Sequence, residues 1–368
     1  MHGLYVHIPF CASRCHYCDF TSSAGRTDLI GPYIEALKLE AGLYAGRKAA
    51  SLSNRPDTLY IGGGTPSFLP PARLKELFSL VEKSFGRIKD LKEATFEANP
   101  ESLTLQKAGL LKAAGITRVS LGLEAAQNAL LKKLGRPAVF EDFLKALGFL
   151  RRSGFDNINI DLMTGLPGQS REDFRQSLNK VLTLGPEHVS FYALEVHEGT
   201  VFSTLGVREA PETAAGMYEE ALPLLKKAGF RHYEISNFAK PGKESLHNLN
   251  YWEQGDYIGL GTAAASHRAG QRWGNTANLG EYIRTAGDAG GPARAYCETL
   301  TPAQRNAERV WLGLRKTDGI VLPDGIFIEF REEINALSAR GLLEVSGRRV
   351  KINQKCLYLS NAVFREFV

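Results

Sequence analysis

Tyr5-Val6-His7-Ile8-Pro9-Phe10-Cys11-Ala12-Ser13-Arg14-Cys15-His16-Tyr17-Cys18-Asp19-Phe20 sets three thiols at the spacing CxxxCxxC, directly behind an apolar run at 4–8 that reads as a β-strand. The chain holds 5 cysteines in 368 residues, so two more at the +4 and +7 positions arise by chance roughly once in 10⁴. Three thiolates in one short loop can hold three corners of an iron–sulfur cubane. An ordinary [4Fe–4S] cluster takes four cysteines, so one iron would stay open to a small chelating ligand. A structural zinc site is the alternative, with His7 or His16 as its fourth donor. A redox dithiol would leave the third cysteine idle. Cys297 and Cys356 read as inert buried thiols.

Working outward, β-like runs at 4–8, 58–61, 94–98, 118–123, 157–161 and 188–194 alternate with helix-like stretches at 28–45, 71–85, 103–114, 127–150 (broken at Pro137), 171–184 and 212–229. Gly115, Gly154 and Gly229 stand where helices end, and Asp28 and Thr104 where helices begin. Strand–helix alternation repeated six times predicts an α/β fold with a parallel sheet and right-handed crossovers. Periodicity does not choose among a full barrel, a partial barrel and an open sheet. In such folds sites lie at the carboxyl ends of strands, where the cysteine loop falls. From about residue 240 the texture changes. Residues 238–295 are rich in Gly, Asn and aromatics, 302–316 and 327–340 read as helices, and 342–345 with 349–352 read as a hairpin. These predict a smaller, winged-helix-like α+β unit. The expected division is 1–235, 236–300 and 301–368.

The net charge of +5 is spread along the chain and forms no basic stripe, so nucleic acid is not an expected partner. No run of 18 apolar residues and no secretory leader are read, so the expectation is a cytoplasmic protein without an integral membrane segment, peripheral contact aside. Three clustered cysteines in a reducing compartment suit metal binding better than disulfides.

Gly62-Gly63-Gly64-Thr65-Pro66 follows the second strand. Consecutive glycines let backbone amides approach a ligand, or simply make a tight turn. No Gly-Lys-Ser/Thr follows, so it is not a P-loop. Glu97 and Asp161 end the third and fifth strands, where a carboxylate can meet ribose hydroxyls or an ammonium, or cap a loop. Arg136 can pair with a carboxylate. His247, in His247-Asn-Leu-Asn-Tyr-Trp252, offers an imidazole to iron or fills a core, with Tyr251 and Trp252 beside it. His267 is a weaker candidate of the same kind.

These motifs together resemble the radical S-adenosylmethionine (SAM) superfamily, and within it the family of oxygen-independent coproporphyrinogen oxidases and heme chaperones (HemN/HemW). The likeness runs essentially end to end. It implies a partial (β/α)6 TIM-like barrel with a HemN-type C-terminal domain, and a [4Fe–4S] cluster on Cys11, Cys15 and Cys18. The open iron would bind SAM, whose reductive cleavage gives a 5′-deoxyadenosyl radical. By the same resemblance Tyr5, Tyr17, Gly63, Gly64, Thr65, Glu97, Arg136 and Asp161 fall on SAM-contacting positions, and the HNxxYW motif containing His247 is implicated in heme binding. Three features favour the chaperone branch. Phe20 stands where the oxidases carry a further cysteine, the first strand begins without their N-terminal extension, and HNxxYW is typical of the chaperones. The expected cofactors are therefore the cluster, SAM and heme, and the expected partner is a heme-accepting protein. The alternative is oxidative decarboxylation of porphyrinogen propionates. One departure stands out. Where relatives read Gly-Val-Gln-Ser-Phe, this chain reads Gly122-Leu-Glu124-Ala-Ala126. Glu124 lacks the donors of an amide, so its contact with SAM would differ.

Overall fold

The computed structural model describes residues 1–45 and 55–368. Strands β1 (His2–Ile8), β2 (Thr58–Gly63), β3 (Glu93–Ala98), β4 (Arg118–Glu124), β5 (Ile158–Thr164) and β6 (His188–Ala193) run parallel and lie side by side in that order. Helices α1 (Ile30–Ala45), α2 (Pro71–Phe85), α3 (Leu105–Ala114), α4 (Asn128–Lys133), α5 (Phe140–Arg152), α6 (Arg171–Thr183) and α7 (Pro211–Lys227) follow them in turn. The strands curve into a barrel that does not close. At one edge β7 (Arg231–Glu234) and β8 (Asn237–Ala239) add antiparallel to β6. At the other, β9 (Asp256–Leu260) pairs parallel with β1, and β10 (Ala265–Arg268), β11 (Gln271–Asn275) and β12 (Arg294–Thr299) continue antiparallel. The stretch 238–295 thus supplies strands to the same 12-stranded sheet. Its short, glycine-bearing strands carry too little alternation to be read in advance.

Each barrel strand divides its side chains by period two. Leu4, Val6 and Ile8 of β1 point outward, where they are buried with Tyr33, Ile34 and Leu37 of α1. The helices answer with period 3.6: Leu74, Leu77, Phe78 and Val81 of α2 occupy one buried stripe. Helix starts and stops follow local chemistry. Thr104 caps α3 by accepting from the Lys107 amide at 3.2 Å. Gly115 ends that helix at φ 93°, where a Cβ would also lie 2.8 Å from the Lys89 backbone. The break between α4 and α5 falls at Pro137, since a residue before proline leaves the helical region. Asp28 is not the cap of α1: it sits inside a single 3-10 turn, Thr27–Leu29, and pairs with exposed Arg26 at 3.0 Å.

Beyond α8 (Leu246–Trp252), α9 (Leu279–Thr285) and α10 (Pro302–Gly313) lies the smaller unit. The expected helix 327–340 is two, Asp324–Glu329 and Arg331–Ala339, parted at Phe330 (φ −103°, ψ 23°). A sheet of β13 (Ile320–Val321), β14 (Leu343–Ser346) and β15 (Arg349–Ile352) completes it. Val310, Leu314, Ile334, Leu337 and Val350 form its own core. It docks on the barrel where the Arg315 guanidinium stacks 4.2 Å from the Trp252 ring. Cys297 and Cys356 are not buried thiols: Cys297 is exposed on edge strand β12 and Cys356 is half-exposed. Among the described residues no helix is long and apolar enough to cross a membrane.

One buried carboxyl ties the added strands to the barrel. Glu40 of α1, fully buried, accepts from the Tyr282 hydroxyl at 2.6 Å, Asn275 Nδ2 at 2.7 Å and the Gly261 amide at 2.8 Å. Glu40→Ala leaves three buried donors unmet at about 1–3 kcal/mol each. It is therefore expected to destabilise the protein by about 3 kcal/mol or more in denaturant unfolding, and a loss under about 1 kcal/mol would refute the clamp.

Candidate functional site

The inward positions of the barrel strands are polar. Tyr5 and His7 on β1, Tyr60 and Gly62 on β2, Glu97 on β3, Arg118 and Ser120 on β4, Asn159 and Asp161 on β5, and His188 and Ser190 on β6 face a common lumen in register. Glu97 pairs with Ser120, Ser120 with Asn159 and Asn159 with His188. The lumen is knitted by hydrogen bonds. Asp161 accepts from Ser120 Oγ and Asn159 Nδ2, both at 2.8 Å, and Glu97 accepts from the Tyr60 hydroxyl at 2.7 Å and the Gly63 amide at 3.1 Å. Burial pushes the Glu97 carboxyl up to about 7 and raises that of Asp161.

The cysteine loop lies over the carboxyl ends of β1 and β2. Cys11, Cys15 and Cys18 are all free of disulfides, Cys11 buried and the other two half-buried. The loop is closed by the Cys18 amide donating to the Cys15 carbonyl at 3.1 Å, and Thr65 Oγ1 approaches Cys11 Sγ at 3.5 Å. Gly64 must be glycine, since a Cβ there would lie 2.8 Å from Cys11 Sγ. Gly63, at φ 117°, would meet the His7 ring at 2.7 Å. The amides of this glycine turn are not offered to a ligand. Gly63 N–H donates to Glu97, Gly64 N–H to the Ile8 carbonyl at 2.8 Å and Thr65 N–H to the Phe10 carbonyl at 2.8 Å. A ligand ammonium would in any case need acceptors, so carbonyls and carboxylates are the groups that suit it; Glu97 stands near the end of β3, whereas Asp161 lies in the middle of β5 and not at its end.

Tyr17, Glu124 and Arg136 gather beside Cys15. Arg136 Nη1 lies 3.2 Å from Glu124 Oε1, with both side chains buried, and Arg136 Nη2 donates to the Gly122 carbonyl at 2.9 Å. The Tyr17 hydroxyl donates to Glu124. Glu124 sits at φ 67° in a β-bulge of β4, which turns its side chain inward to the arginine. Arg136 Nε is buried without a partner, an unused donor next to the thiol loop.

His247 stands apart, at the amino-terminal mouth of the barrel. It is fully buried. Nδ1 lies 2.8 Å from Thr58 Oγ1 and Nε2 2.8 Å from the Tyr251 hydroxyl. Its lone pair is therefore spent, and α8 is fixed from below by Glu93, which accepts from the Leu246 and His247 amides at 2.9 and 3.1 Å. Burial holds the imidazole down at about 3, so it stays neutral. Sequence reading missed Tyr60, Arg118 and Ser120. Their signal was polar residues at alternate positions inside otherwise apolar strands.

The donor set suits a cluster better than zinc. His7 is held by the Tyr5 hydroxyl at 3.0 Å and the Thr21 carbonyl at 2.8 Å, and His16 Nδ1 by the Lys133 carbonyl at 2.9 Å. His7 thus has both ring nitrogens engaged, and the His16 ring packs against Gly135 and the Phe202 ring. Three free thiols in one loop are the donor set of a cluster with one open iron, although among the described residues they are not drawn together into a metal-holding group.

Fold and thiol loop together define a radical SAM protein, and the family model of the radical SAM superfamily matches residues 5–181. That superfamily carries a [4Fe–4S] cluster and SAM as its implied cofactors. Within it, the heme chaperone HemW of Bacillus subtilis is 36% identical over 385 aligned residues, covering 100% of this chain and 99% of that protein. HemW of Lactococcus lactis is 35% identical over 377 residues, covering 99% and 96%. The coproporphyrinogen III oxidase HemN of Escherichia coli, a radical SAM enzyme, superposes with a TM-score of 0.84 at 25% identity, covering 100% of this chain and 89% of that one. The chain belongs to the HemW family.

Proposed function

We propose that this protein is a cytoplasmic heme chaperone of the HemW type, binding heme and passing it to an acceptor protein under control of a [4Fe–4S] cluster and SAM. The observation that carries the reading is the end-to-end likeness to HemW, 36% identity across 100% of the chain. In this reading Cys11, Cys15 and Cys18 hold the cluster. The turn Gly63-Gly64-Thr65 and the carboxylates of Glu97 and Asp161 face the ammonium and hydroxyl groups of SAM, and Arg136 its carboxylate. Tyr5 and Tyr17 wall the site, and Glu124 sets the charge of Arg136. The cluster, once bound, supplies an iron to which SAM can chelate and an electron to it.

The overall likeness to HemN keeps the oxidase as the second reading. Phe20, at the position of the oxidases' extra cysteine, is 63% exposed and offers no ligand. Hemin added to the anaerobically reconstituted protein is expected to develop a saturable Soret band, while coproporphyrinogen III, supplied with SAM and a reductant, stays unconverted. Conversion without a saturable Soret band would reverse the assignment.

A further inference from the structure

Between the barrel and the smaller unit lies a cavity of about 440 Å³, open to solvent on one side and walled by Tyr5, Tyr251, Trp252, Tyr257, Trp311 and His267. All six carry flat rings, beside polar lining residues such as Gln254, Arg272 and Glu308, and the ringed wall suits a large planar ligand. Three buried side-chain nitrogens of this wall lack a hydrogen-bond partner, and of these Arg272 Nε has an ion pair with Glu298 at 3.5 Å while His267 Nε2 and Trp252 Nε1 have none. His267 is 7% exposed, and its Nε2 is buried without a hydrogen-bond partner. Trp252 Nε1, a donor only, is likewise buried and unpaired. Buried polar atoms are normally satisfied, so an unused acceptor and an unused donor on two residues that line one cavity ask for a ligand that supplies both complements.

The other imidazoles at this place are occupied. His7 bonds Tyr5 and the Thr21 carbonyl, and His247 bonds Thr58 and Tyr251. His267 differs. Its Nδ1 faces the Gly255 carbonyl at 3.5 Å and Asp256 Oδ1 at 3.9 Å, which assigns the ring proton to Nδ1 and leaves the Nε2 lone pair free. A carbonyl or carboxylate behind the far nitrogen is the usual support for a metal-ligating histidine. Arg272, in the same wall, is already paired with Glu308 at 3.0 Å, which leaves the cavity without a strong field of either sign.

We infer that this cavity is the heme seat and that His267, not His247, is the axial ligand through Nε2, with the macrocycle against the aromatic wall and a propionate accepting from Trp252 Nε1. The inference rests on the chaperone reading and sharpens it to one cavity and one iron–nitrogen bond. It also gives the HNxxYW motif a division of labour. His247 fixes α8, so that Tyr251 and Trp252 present their rings to the cavity.

Hemin titration of the full chain, reconstituted anaerobically and followed by Soret absorbance and by the iron–histidine signature in EPR, tests it. His267→Ala is expected to bind hemin about tenfold more weakly or worse and to lose the histidine signature, and added imidazole is expected to restore that signature. Cluster absorbance and far-UV circular dichroism verify folding, with His267→Gln serving where the alanine variant does not fold. Wild-type protein that binds hemin, paired with a folded His267 variant of unchanged affinity and spectrum, overturns the ligand and leaves the chaperone reading standing. Wild-type protein that binds no hemin sinks both.

Discussion

Cys15→Ala, reconstituted anaerobically beside the wild type, is expected to keep less than about a tenth of the wild-type iron and to show no saturable SAM binding, because a cubane held by three protein thiolates has no spare anchor. Cys15 is the telling position. It lies in the middle of the loop and next to Arg136, so its loss removes one corner of the cluster on the side where SAM is proposed to sit. Burial pushes all three thiols above their ordinary value. A coordinated metal reverses that preference by stabilising the thiolate. Cys297→Ser on the exposed edge strand is the matched control and is expected to retain full iron. Iron and SAM binding retained in Cys15→Ala would sink the cluster assignment, and zinc filling the loop stoichiometrically would do so too.

Much of this architecture is legible in the sequence because two periodicities coincide. The six parallel strands show as apolar runs, and the helices show as stripes such as Leu74, Leu77, Phe78 and Val81. The cysteine loop is local, so its chemistry needs no tertiary information. Other features depend on facts a linear reading does not contain. The strands β9 to β12 add to β1 across more than 240 positions, with His2 opposite Asp256, and nothing local in 256–260 announces a parallel partner. His247 looks like a ligand because an imidazole in an aromatic motif has a free nitrogen until its neighbours in space are known. Its two partners, Thr58 and Tyr251, become visible only when β2 and α8 are brought together. The exposure of Cys297 comes from edge position, a property of sheet order.

The lumen also shows why charge is better argued from the fold than from counts. Glu93, Glu97, Glu124 and Asp161 line or flank it against Arg118 and Arg136, although the whole chain is mildly basic at +5. Such a surplus of buried carboxyls is costly, and burial duly raises Glu97, Glu124 and Asp161. A ligand bringing ammonium and sulfonium charge relieves that cost, and SAM carries both. Arg136 is the exception in this field, a cation waiting for a carboxylate, and it already holds one.

Glu124→Gln is therefore expected to tighten SAM binding by about tenfold. With the SAM carboxylate on Arg136, as proposed, it would compete with the Glu124 carboxylate, whose Oε1 already lies 3.2 Å from the guanidinium. Burial first, opposed by Arg136, sets the Glu124 carboxyl at about 7. An anion placed on Arg136 favours the protonated form of Glu124, so SAM binding takes up a proton. Affinity should then rise as pH falls from about 8 to about 6, by at most about tenfold per unit, and Glu124→Gln should flatten that slope. The variant keeps side-chain length, and glutamine can still accept from Tyr17 at the same bulge. It leaves Arg136 buried without its counter-charge, which costs stability in the absence of ligand, on the order of 3 kcal/mol. The variant should consequently melt lower than the wild type when free of ligand and gain more from saturating SAM, since ligand bound only by the folded form adds directly to its stability. Isothermal titration at pH 6, 7 and 8 with paired thermal melts measures both arms. An unchanged or weaker affinity, or a slope that survives in Glu124→Gln, would show that Arg136 is not the carboxylate's partner.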